Sequence, residues 1–159
     1  GMATGAVAGL VGITPGAGFV TPAAGMAIGA ITGLLCYFSV QLKVSLRFDD
    51  SLDTFAVHGV GGTIGAILTG VFASAELISS HPAGQVLAEN GRFALIGGQF
   101  QAVLVAYGLA ALGTLLIAAV LRGLGMPFRV PEEAENLGVD VREHGEEAYA
   151  ERIGSPQFH

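Results

Sequence analysis

The sequence predicts an all-α membrane protein built as a transmembrane helix bundle, and three observations predict it. Only 13% of residues are charged and 52% are hydrophobic, whereas an average soluble domain is roughly 25% charged. There are 25 glycines and no tryptophan, and glycine is more frequent in transmembrane helices than in soluble ones. The apolar residues are also gathered into runs long enough to cross a ~30 Å hydrocarbon core, which takes about 20 helical residues.

The first apolar run, 2–14, closes on Thr14-Pro15-Gly16. It is too short to cross a bilayer and reads as an incomplete span. The chain opens on Gly1-Met2 and is hydrophobic at once, so a start inside a longer protein is expected. Three further spans are expected over 21–42, 53–75 and 93–124, the last long enough to tilt or protrude. They define a transmembrane region, 1–124, followed by a polar tail, 125–159.

The tail carries most of the acidity. Glu132, Glu133, Glu135, Asp140, Glu143, Glu146, Glu147 and Glu151 belong to it, out of 13 acidic residues in all, and the net charge of −6 is largely theirs. With Pro131 and Gly145, this composition argues against a membrane role for the tail and for a folded or partly ordered cap. The competing expectation from composition alone is a disordered acidic tail. Lys43 and Arg47 flank the end of the second span, Arg122 stands at the end of the fourth with Arg129 after it, and Arg92 alone lies between the third and fourth. The positive-inside rule therefore places the 43–53 loop and the tail in the cytoplasm.

Glycines recur at four-residue spacing: Gly25, Gly29 and Gly33, then Gly5 with Gly9 and Gly61 with Gly65. That spacing lines one helix face with small residues and lets another backbone come close. The run Gly59-Val60-Gly61-Gly62-Thr63-Ile64-Gly65 is not a nucleotide loop, because it follows no strand and lacks the Lys-Ser/Thr ending. No basic stripe is present for nucleic acid. The lone Cys36 gives neither a disulfide nor a metal site, and no nucleophile–base pair or cofactor motif points to an enzyme. His144 and His159 fall in the polar tail and are expected to be solvated.

The chemistry concentrates at the start of the third span. Asp49, Asp50 and Asp53 precede it, where carboxylates cap free N–H groups and complement the positive end of the helix dipole. One of them is alternatively expected to fix the loop against the tail. His58 lies five residues beyond Asp53, roughly 7.5 Å further along a regular α-helix, and is the one titratable side chain between Asp53 and Glu76. An ionisable ring inside a span needs a partner or a cavity and marks a candidate functional site. Imidazole can accept or donate a hydrogen bond at either nitrogen, which suits it to passing a small hydrogen-bonding solute or a proton. Thr54, four residues earlier, is expected on the same face as a second lining residue.

The run from Asp49 to Gly62, DDSLDTFAVHGVGG, resembles the signature of ammonium transporters of the Amt/Mep/Rh family. Gly5 to Pro15, GAVAGLVGITP, resembles the family's eighth helix. Arg129-Val130-Pro131-Glu132-Glu133 with His144-Gly145-Glu146-Glu147-Ala148-Tyr149 resembles its cytoplasmic regulatory segment. The resemblance implies a partial ammonium transporter fold: the second half of an inverted repeat plus the long last helix, helices eight to eleven of eleven. It implies ammonium as substrate, a trimer with one narrow pore per subunit, and a pair of hydrogen-bonded pore histidines of which His58 matches the second. It also implies an inner or plasma membrane location and a PII-type signalling protein as partner of the tail. The first histidine and the outer cation-recruitment site belong to the half not represented here. Arg142 occupies the position of a threonine that is phosphorylated in plant members. Two alternative functions stand beside transport: an ammonium sensor of the same fold, and a structural membrane protein that does not conduct.

Overall fold

The computed structural model describes residues 1–50 and 52–145. The chain divides into two compact units, Gly1–Leu109 and the residues from Ala110 onward.

In the first unit, α1 (Met2–Ile13) tightens into a 3-10 turn, Thr14–Gly16, with Pro15 inside it. The Thr14 hydroxyl donates to the Leu10 carbonyl at 2.7 Å, which satisfies one acceptor at the closing helix end. Helix α2 (Pro22–Ser45) opens with Thr21 as N-cap, its side chain accepting from the Ala24 amide at 3.3 Å, and with proline in its first turn. It continues past the end expected at 42 as far as Ser45.

The third span differs more from its expected bounds, 53–75. Asp53 takes a positive φ of 55°, a left-handed conformation that no helix continues through, so the span begins after it. A π-helical segment, Phe55–Val60, runs into α3 (Gly61–Phe72). Ala73 turns extended at ψ 129° and pairs with Val20 across an isolated bridge. The Ser74 amide donates to the Phe19 carbonyl at 2.9 Å. Helix α4 (Pro82–Gly123) starts well before the expected 93 and is interrupted at Gly91, whose φ of 79° lies outside the helical region.

Three helices, Pro22–Ser45, Phe55–Phe72 and Pro82–Gly123, have the length and apolar composition to cross a membrane, and the helical stretch Met2–Gly16 is shorter. Contact among α1, α2 and α3 rests on glycine. A Cβ on Gly9 would meet the Gly29 carbonyl oxygen at 3.4 Å, and one on Gly33 would meet that of Gly5 at 3.7 Å. A lipid-like surrounding offers no hydrophobic drive between helices, so this close backbone packing is what joins them. Ala8, Cys36 and Val57 form one small core with Val11, and Ala73, Ile78 and Leu95 form another with Phe19, Ala83 and Leu87. The outer faces stay apolar, with Leu34, Phe38, Leu104, Leu112 and Leu116 exposed, the surface a bilayer or a neighbouring membrane protein covers.

In the second unit, Gly125 at φ 74° follows the end of α4. Helix α5 (Glu132–Leu137) comes next, then a π-helical turn, Asp140–His144. Arg129 donates to both carboxylate oxygens of Glu135 at 3.0 and 3.3 Å, and Arg142 lies 3.9 Å from Glu133. The tail motif from Glu146 onward and His159 lie outside the described residues.

Candidate functional site

The loop after α2 builds the entrance to the π-helical segment. The Asp50 carboxylate accepts from the Thr54 and Phe55 amides, both at 2.9 Å, so two of the donors that a helix start leaves free are paired by one side chain. Asp53 does something else. Its carboxylate pairs with the Lys43 ammonium, which also donates to the Asp50 carbonyl. Lys43 sits in the last turn of α2, so the pair ties that end to the residue before the third span. Asp49 makes no side-chain hydrogen bond among the described residues.

His58 occupies the middle of the π-helical segment. The wider turn closes its hydrogen-bonded ring at i+5, and Thr54 immediately precedes the segment. His58 and Thr54 are both exposed in this chain, and Thr54 contributes its amide to the Asp50 cap. The neighbours Ala56 and Val57 are buried, and the Val57 carbonyl lies 4.0 Å from the Cys36 sulfur. One face of the segment is thus fixed on α2, while His58 stays exposed. No hydrogen bond among the described residues involves the His58 ring. A cavity of about 200 Å³ between α1, α2 and the segment is lined by Gly5, Cys36, Gln41, Asp53 and Val57, and His58 is not part of its wall.

Residues beyond the sequence-derived set adjoin the site. The Gly59 carbonyl accepts from the Thr63 hydroxyl at 2.7 Å and the Tyr107 hydroxyl at 3.1 Å, and the two hydroxyls lie 2.8 Å apart. Tyr107 belongs to α4. At the other end of α3, the Arg92 guanidinium donates to the carbonyls of Gly70, Val71 and Ala73 at 3.2, 2.7 and 3.0 Å, a cation placed on the negative end of a helix dipole. Lys43 and Arg92 entered the sequence reading only through the orientation count. Tyr107 carried a usable signal: a phenol inside an apolar run needs a partner for its hydroxyl. The described residues hold no group of three metal-ligating side chains.

A model of the Ammonium Transporter Family matches residues 1–149. The chain is 43% identical to an ammonium transporter of Bacillus subtilis over 96% of this chain and 37% of that protein. It is 37% identical to the ammonium transporter Amt1 of Archaeoglobus fulgidus over 94% of this chain and 37% of that one. Among solved structures, Mep2 of Candida albicans is similar at a TM-score of 0.54 and 30% identity, covering 84% of this chain and 30% of Mep2. The chain therefore spans about a third of the length of the relatives it matches.

Proposed function

The chain belongs to the Ammonium Transporter Family, and from that premise we propose that it supplies part of a narrow, apolar conduction path for ammonium across a cell membrane. The observation that carries the proposal is His58: an exposed imidazole without a hydrogen-bond partner among the described residues, held in an apolar span on a segment whose other face is buried. An ionisable side chain in that position faces a water-filled or polar path, or a partner from another element.

The chemistry follows from the cost of charge. An ammonium ion entering an apolar passage loses hydration that nothing restores, at several kcal/mol or more. The ion passes a proton to water at the mouth or to an imidazole of the pore pair, and neutral ammonia continues and takes up a proton from water on the far side. The imidazole of His58 accepts from or donates to the passing ammonia, with a second histidine from the other half of the fold completing the pair. Thr54 is a further lining candidate at the Asp50-capped mouth. In this reading Asp49, Asp50 and Asp53 are structural residues at the cytoplasmic start of the span.

The wider setting belongs to the same proposal. The protein works as a homotrimer in the plasma or inner membrane, with residues 1–124 as its membrane part. The tail, 125–159, is a cytoplasmic regulatory segment that presents its surface to a PII-type signalling protein. The charge count of the loops supports that orientation.

The test is an ammonium pulse on the intact protein in proteoliposomes, read as current on a solid-supported membrane and as uptake. His58→Ala is expected to lower the current at least tenfold. Current and uptake equal to the unsubstituted protein would take His58 off the path.

A further inference from the structure

The π-helical segment that carries His58 is an interruption of the α-helical pattern, and such interruptions occur mostly as single turns within α-helices, often at functional sites. In a membrane span, backbone groups displaced from the regular ladder have to be satisfied by nearby side chains. Here the satisfying groups are identifiable. The carbonyl of Gly59, the residue directly after His58, receives two hydroxyls, one local and one remote. Thr63 reaches back along its own helix at 2.7 Å, and Tyr107 reaches across from α4 at 3.1 Å. The hydroxyls are 2.8 Å from each other, so two protons serve three contacts. A Cβ on Gly59 would sit 3.1 Å from the Phe55 ring, so the position favours glycine.

We propose that Tyr107 is a positioning residue for His58: its hydroxyl, with that of Thr63, fixes the Gly59 carbonyl and thereby the direction in which the His58 imidazole leaves the backbone. Thr63 alone would tie the carbonyl to its own turn. Tyr107 ties it to a different helix, so the ring is held relative to α4 as well as α3. Tyr107 is the single tyrosine of α4, and its ring need not touch substrate for this role. The proposal rests on the reading that His58 lies on the conduction path.

The test uses the intact protein in proteoliposomes with ammonium chloride as probe, together with nitrogen-15 NMR of histidine-labelled protein. The protein has more than one histidine, so the His58 ring signals are assigned by their loss in His58→Ala. Tyr107→Phe removes the hydroxyl and keeps the ring. The expected result is a maximal rate reduced about fivefold, the order of one hydrogen bond, with KM changed less than twofold and the His58 ring signals displaced. Thr63→Val should reproduce this and Thr63→Ser should restore it, and this pair decides the matter if Tyr107→Phe does not fold. An unchanged rate, or a reduced rate with unmoved His58 signals, overturns the positioning role. If His58→Ala itself transports normally, the conduction reading fails. If His58→Ala is inactive while Tyr107→Phe and Thr63→Val behave like the unsubstituted protein, the positioning proposal alone fails.

Discussion

Gly12 on α1 and Gly65 on α3 meet backbone to backbone. A Cβ on Gly65 would lie 2.9 Å from the Gly12 carbonyl carbon and nearer still to its oxygen, with no flexible side chain to give way. Gly65→Ala is therefore expected to push the helices apart and to destabilise the protein by about 1–3 kcal/mol, the usual cost of overpacking. Gly9→Ala, whose Cβ would meet the Gly29 oxygen at 3.4 Å, should cost clearly less. Melting temperatures of the two variants in detergent check the order. Equal melting temperatures would mean that the Gly12–Gly65 approach is not the tight one.

The guanidinium of Arg92 closes the C-terminal end of α3 on three carbonyls. Arg92→Ala removes a charged donor from all three, and hydrogen bonds to charged groups are worth about 1.5–3 kcal/mol. The expected outcome is a loss of that size. Arg92→Lys should recover only part of it, because an ammonium lacks the planar fork that spans several acceptors. Thermal unfolding measures the loss, and hydrogen exchange at Ala73 and Ser74 localises it: faster exchange there with little change near Phe55 is the expected pattern.

Lys43 and Asp53 form the other closure, at the start of the third span. Their side chains are 13% and 26% exposed, between the open surface, where ion pairs count for little, and the interior, where breaking one is severe. Lys43→Met should cost about 1–2 kcal/mol, intermediate between those limits. The double variant Lys43→Met with Asp53→Asn should recover part of the loss, because it leaves no unpaired charge. A double-mutant cycle with no coupling would show that the pair contributes nothing. Asp50→Ala should cost about 1 kcal/mol independently, as the loss of a helix cap.

The helical class, the three spans and the glycine faces were legible because each depends on composition or on a fixed spacing along one helix. Gly5 with Gly9 and Gly29 with Gly33 are such cases. The start of the third span was harder to read. A left-handed Asp53 and a π-helical turn leave no pattern in DTFAVHGV, so an uninterrupted helix from 53 was the natural expectation. The break at Gly91 was hidden for a related reason: glycine is common throughout this chain, and one copy does not announce a positive φ. The contacts of Tyr107 and Arg92 link residues more than 18 positions apart, which spacing rules do not reach. What the sequence did expose was the chemical anomaly of the His58 imidazole in an apolar span.

Three threonines in the packed helices behave differently, and the odd one gives the last prediction. Thr63 and Thr69 each donate to the carbonyl four residues earlier, at 2.7 and 2.8 Å. Thr32 is fully buried in α2, and its hydroxyl has no partner among the described residues. It lies where α2 crosses α1: a Cβ added at Gly12 would strike the Thr32 side chain. A buried hydroxyl without a hydrogen bond costs about 1–3 kcal/mol. Thr32→Val keeps the branched shape and removes the unpaired group, so it should stabilise the protein by about 1 kcal/mol. Thr69→Val, which deletes a bond that is made, should destabilise by a similar amount. Opposite shifts of the melting temperature support the assignment. A destabilised Thr32→Val would show that its hydroxyl is paired in the intact protein, by a group outside the described residues.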